Sequence, residues 1–155
     1  MNDERAGKEA NGDHSGFDRA IEAFRQALEP YMKGDAEPVL DLVSRAADVT
    51  LANPLGPPVR GSADVRRAAG QGAAMLRDGS VRGFEEVVRY STPDLGYVVQ
   101  IERTQARFED TGTTMNPIAL RVTMIFRREG DTWLVVHRHA DPITTSRPIT
   151  TAIES

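Results

Sequence analysis

From Ser80 to Asp141 the chain reads as strand almost without pause. Thr92-Pro93-Asp94, Asp110-Thr111-Gly112 and Glu129-Gly130-Asp131 cut this stretch into runs at 82–91, 96–109, 117–128 and 132–140. Pro, Gly and Asp gather at such points because they fit the backbone angles of tight turns. Connections this short join antiparallel neighbours, whereas parallel strands need a long crossover. The second half of the chain is therefore an antiparallel meander of long strands, and the first half must cover it.

The first half supplies helices. Phe17, Ile21, Phe24, Leu28 and Tyr31 recur at spacings of four, three, four and three, which is one apolar helical stripe. Ser15 with Asp18 has the spacing of a capping box, Pro30 should kink or end the helix, and Gly34-Asp35 reads as a stop and a new start. A short second helix buries Val39, Leu42 and Val43. Asp48 to Asn53 alternates as a short strand, and Val59-Arg60-Gly61 is a second extended piece. Ser62 then caps a helix over 63–76, whose small face (Val65, Ala69, Gly72, Ala73, Leu76) invites close approach. Helices followed by a strand meander make an α+β domain with helices on one face of a curved sheet.

At 155 residues the chain is one domain in size. Residues 1–14 hold almost nothing to bury and read as a disordered tail, 15–142 as the domain, and 143–155 as an extended or disordered arm. The formal charge is −4, from 19 Lys plus Arg against 23 Asp plus Glu, which argues against a nucleic-acid binder. The chain has no Cys, so disulfides, thiolate metal sites and a Cys nucleophile are excluded. No apolar run approaches the roughly 20 residues of a membrane span, and the N-terminus has no apolar signal-peptide centre. A cytoplasmic protein that does not engage membrane is the expectation. Phosphate-binding, nucleophile-elbow and zinc-protease motifs are missing from the sequence.

Strand alternation then assigns faces. Val98, Gln100, Glu102, Thr104 and Ala106 share one face of the second long strand. Ala119, Arg121, Thr123 and Ile125 oppose Leu120, Val122, Met124 and Phe126 in the third. In the fourth, Trp133, Val135, His137 and His139 oppose Leu134, Val136, Arg138 and Ala140. Glu102, Arg121 and His139 interrupt apolar runs. If they converge they form a polar pocket floor, with Arg121 the cation that a buried Glu102 would need. The other reading is an exposed cross-strand pair. Tyr31 either points its hydroxyl into such a pocket or is an ordinary core tyrosine. His137 and His139 share a face but lack a third ligand, so neither metal nor cofactor is expected.

Four segments carry a resemblance: ALEPYMKGD (27–35), PLGPPVRG (54–61), IERTQ (101–105) and FRREGDTWLVVHRHAD (126–141). Together, in this order, they resemble the nuclear transport factor 2-like superfamily, within it SnoaL-like domains and the association domain of calcium/calmodulin-dependent protein kinase II. The resemblance spans about Phe17 to Pro142. It implies a cone-shaped, strongly curved antiparallel sheet wrapped around N-terminal helices with an internal pocket, a nuclear transport factor 2-like or cystatin-like fold. It also implies a cavity lined by Tyr31, Asn53, Glu102, Arg121, Thr123 and His139. Glu102 or His139 would be the acid/base group, with Tyr31, Asn53, Arg121 and Thr123 binding the ligand. The superfamily holds isomerases, dehydratases, polyketide cyclases and assembly modules, and fold alone does not choose among them. Two expectations follow. One is a protein binding a small, partly apolar molecule, as a cofactor-free isomerase, cyclase or dehydratase would. The alternative is a non-catalytic dimerisation module. In either case large residues left on the far sheet face, including Leu120, Val122, Met124 and Phe126 or their alternates, predict a two-fold homodimer.

Overall fold

The computed structural model describes residues 14–110 and 112–155. Helix α1 (Ser15–Tyr31) buries Phe17, Ile21, Phe24, Ala27 and Leu28, the predicted stripe. Its N-cap is His14 and Ser15 is already helical, so the predicted capping box does not form. Pro30 sits in the last turn, where the helix ends. Helix α2 (Glu37–Leu40), strand β1 (Thr50–Ala52), strand β2 (Val59–Arg60) and helix α3 (Ser62–Ala74) follow. Gly61, not Ser62, holds the N-cap of α3, at a φ of 92° that favours glycine.

Strands β3 (Leu76–Ser91), β4 (Leu95–Phe108), β5 (Asn116–Glu129) and β6 (Thr132–Asp141) form the antiparallel meander. The sheet order is β2-β1-β6-β5-β4-β3. Strand β1 lies parallel to β6, so the sheet is mixed rather than wholly antiparallel. Strand β3 starts six residues before the predicted Arg82, because Asp78 and Gly79 form a bulge instead of a break. Two further bulges follow along β3, and each adds bend and twist. Gly79 is required there, since an added Cβ would run into the Gln105 and Met32 carbonyl oxygens.

The helices cover the concave face. Phe17 meets Phe126 edge-on at 5.6 Å between centroids and leans on Trp133 at 5.5 Å. Val122, Met124 and Phe126 are completely buried under α1. The far face therefore carries the alternates of Leu120, Val122, Met124 and Phe126, the second of the two placements that the sequence left open. Residues 143–155 are mostly exposed and include one 3-10 turn, Ile149–Ala152. The predicted tail at 1–14 lies outside the described residues except for His14. No helix among the described residues is long and apolar enough to cross a membrane.

Candidate functional site

Between α1, α3, β1 and the inner face of β4–β6 lies a largely apolar cavity of about 280 Å³. Phe24, Leu28 and Tyr31 enter it from α1 at helical spacing, and Val65, Ala69 and Gly72 from the small face of α3. The small face serves Tyr31. Its hydroxyl donates to the Ala69 carbonyl at 2.8 Å, and a Cβ at Gly72 would come within 2.6 Å of that oxygen. Burial pushes the Tyr31 phenol up, against a downward pull from the charge on Arg138.

The charged groups on the cavity wall are Glu102 and Arg138. Arg138 Nη1 donates to Glu102 Oε2 at 2.8 Å and Nη2 to Oε1 at 2.6 Å, a bidentate pair. The two side chains are 3% and 15% exposed. Gln100, fully buried beside them, donates through Nε2 to Glu102 Oε2 at 3.0 Å. Gln100 is oriented in turn by Arg25, whose Nε and Nη2 donate to its Oε1 at 3.0 and 2.6 Å. An amide whose oxygen is taken on one side must present its nitrogen on the other. Arg25 continues outward to Glu22 and Glu86, Glu86 pairs with Arg89, and Arg89 with Asp18. The Arg138 guanidinium also lies over the Phe24 ring, 5.3 Å from its centroid. Burial pulls the proton affinity of Arg138 down, but the charge and hydrogen bonds of Glu102 outweigh it and hold the group above its ordinary range.

Of the predicted residues, Tyr31, Asn53 and Glu102 line the cavity. The Asn53 side-chain oxygen is already used, accepting the Leu55 amide at 3.0 Å on the loop at the cavity mouth. Arg121, Thr123 and His139 lie on the opposite, outer face. Arg121 stands across from Ile101, not Glu102, and pairs with Asp141 through Nη2 at 2.8 Å. Burial raises the Asp141 carboxyl, but the Arg121 hydrogen bond, the Ile143 amide and nearby positive charge together hold it below the usual range. His139 Nε2 sits 3.1 Å from the same carboxylate and is half exposed. The predicted Arg121–Glu102 partnership is therefore replaced by Arg138–Glu102.

The reason is one bulge. Ile125 pairs with His137 and Phe126 with Val135, which leaves Val136 without a partner. Strand parity flips there, so Val135 and Arg138 both face inward and His137 and His139 outward. Arg138 was visible as the one charged member of the otherwise apolar set Leu134, Val136, Arg138 and Ala140. Thr104, inward on β4, also reaches the cavity. Among the described residues, no group of three or more His, Asp or Glu side chains is arranged to hold a metal ion.

An α+β cone with this interior defines a class, the nuclear transport factor 2-like superfamily. Within it, residues 20–144 match the SnoaL-like domain model, and the chain belongs to that family. A search of curated proteins returns no match. Similar solved structures include a ketosteroid isomerase-like protein from Erwinia carotovora atroseptica, with a TM-score of 0.71 and 16% identity over 87% of this chain and 99% of that one. A Thiobacillus denitrificans protein assigned as a calcium/calmodulin-dependent protein kinase type II association domain has a TM-score of 0.62 and 24% identity, over 79% and 91%. A Streptomyces avermitilis protein assigned as a dehydratase of the NTF2-like family has a TM-score of 0.66 and 22% identity, over 86% and 98%. At these identities the likeness shows the fold.

Proposed function

We propose that this SnoaL-like protein binds a compact, largely apolar small molecule in the cavity, with Arg138 as its polar anchor. The observation that carries this reading is a cavity of about 280 Å³ with a single buried ion pair on an apolar wall. Small-molecule sites combine apolar linings with a few placed polar groups, and this cavity is slightly below the roughly 300–1,000 Å³ range of such sites. A guanidinium aimed at a bound carbonyl polarises it, which is the chemistry shared by isomerisation, cyclisation and dehydration beside a carbonyl. Similarity to isomerase-like and dehydratase-assigned structures supports that direction. Glu102 accepts three hydrogen bonds, so it serves as the anchor of Arg138 rather than as a free base.

Ala69→Phe tests the reading. The new ring would occupy the cavity without removing the backbone carbonyl that Tyr31 uses. Methyl cyclohexyl ketone should raise the melting temperature of the wild type and leave that of Ala69→Phe unchanged. An equal rise in both proteins would place binding elsewhere.

One observation favours an assembly role in addition. Val88, Tyr90, Leu95 and Tyr97 on β3 and β4 are 42%, 60%, 47% and 38% exposed, with the two tyrosine rings 6.2 Å apart. Exposed apolar side chains gathered on one sheet region mark an association surface, and a second copy of this chain meeting it about a two-fold axis is the proposed occupant. Light scattering at micromolar concentration should give twice the 17.0 kDa of one chain. A monomer mass would remove the dimer.

A further inference from the structure

We infer that the cavity selects uncharged molecules bearing a hydrogen-bond-accepting oxygen and rejects carboxylates of the same shape; this rests on the cavity being a ligand site. The argument is a balance of charge and of donors. Glu102 and Arg138 are the charged side chains on the cavity wall, and they form a bidentate pair of zero net charge. Both Glu102 oxygens are engaged, one by Arg138 and the other by Arg138 and Gln100. The pair therefore has no ready acceptor left for a ligand. It does have donors left, because a guanidinium carries five N–H groups and Glu102 takes one from each of two nitrogens.

Tyr31 has spent its proton on the Ala69 carbonyl and offers oxygen lone pairs. The other polar side chains on the wall, Thr50, Asn53 and Thr104, carry no charge, so the polar inventory suits an oxygen acceptor beside Arg138. It suits a negative charge badly, since a carboxylate would bring an uncompensated ion into apolar surroundings or would have to pull Arg138 away from Glu102. Gln100 and Arg25 oppose the second route by holding Glu102 in place from behind.

A matched pair of probes reads this out. Methyl cyclohexyl ketone and cyclohexanecarboxylate have the same number of non-hydrogen atoms and differ by a methyl group against an oxygen anion. In ligand-observed NMR titrations of the wild type at pH 7, the ketone should bind at least tenfold more tightly. Glu102→Gln leaves Arg138 as a lone positive charge, so the carboxylate should gain at least tenfold relative to the ketone. If that variant fails to fold, the wild type answers alone: lowering the pH to about 4 protonates the probe, and binding of the neutral acid should rise. Carboxylate binding at pH 7 equal to or tighter than ketone binding overturns the inference while leaving the cavity a ligand site. Binding of neither probe at any pH overturns the ligand-site reading itself, and the inference with it.

Discussion

Arg138→Met removes one member of the buried pair while keeping most of the side-chain length. Glu102 is then left as an anion that is 3% exposed, with Gln100 as its remaining donor. Breaking a buried pair in this way costs about 3–5 kcal/mol, a large share of the roughly 5–15 kcal/mol of a typical domain. The double change Glu102→Leu with Arg138→Met removes both charges, and replacing a buried pair by apolar groups is often neutral. One term remains, because the Gln100 amide loses its acceptor, and a stranded buried donor costs about 1–3 kcal/mol. The double variant should therefore be more stable than Arg138→Met by about 2 kcal/mol on these figures. Urea unfolding of wild type, both single variants and the double at pH 7.5 and pH 5 measures all of this. The stranded carboxyl escapes its penalty by taking up a proton, so the deficit of Arg138→Met should shrink at the lower pH. A loss below about 1 kcal/mol for Arg138→Met would match an exposed pair and refute the reasoning.

Arg121→Leu is the contrast: its guanidinium is half exposed and pairs with Asp141 on the outer face, so the loss should stay within about 1 kcal/mol by the same unfolding assay. Tyr31→Phe should cost about 1 kcal/mol for the bond to the Ala69 carbonyl. It should also abolish the last-ionising of the three tyrosines in an ultraviolet titration, since burial raises Tyr31. Burial, with His139 nearby, lowers the proton affinity of His137, whose Nδ1 lies 2.7 Å from Thr50 Oγ1. On acidification the unfolded chain binds this proton first, near pH 6.5, so stability falls as pH drops below about 7 until the folded His137 also titrates. His137→Asn should flatten that part of the stability–pH curve, and an unchanged slope would assign the acid sensitivity to other groups.

Much of this architecture was legible because long strands and short turns leave few alternatives. The α1 stripe, the four-strand meander and the inward set of β4 all follow from spacing. What the sequence left hidden was register. Side-chain direction has a period of two, so one unpaired residue inverts everything beyond it. Val136 is that residue in β6, and it carries Arg138 inward to Glu102. Pairing of Glu102 with Leu120 rather than Arg121 likewise depends on how the β4–β5 hairpin closes, over a turn whose length alternation does not set. The beginning of β3 was missed for a related reason. Asp78 has a positive φ of 52° and Gly79 fits beneath the Met32 carbonyl, so residues with turn chemistry build a bulge inside a strand. Glu102, Tyr31 and Asn53 line the cavity, whereas the cation serving Glu102 comes from β6 and not from β5.

The central claim is that Arg138, clamped by Glu102, is the polar anchor of a ligand cavity. Nitrogen-15 NMR of the arginine side chains during titration with methyl cyclohexyl ketone tests it most directly. The guanidinium signals of Arg138, assigned by their loss in Arg138→Met, should shift progressively and saturably, while those of Arg121 on the outer face stay still. Saturable shifts confined to Arg121 and its neighbours, or an Arg138 signal unmoved while the ketone binds, would contradict the account.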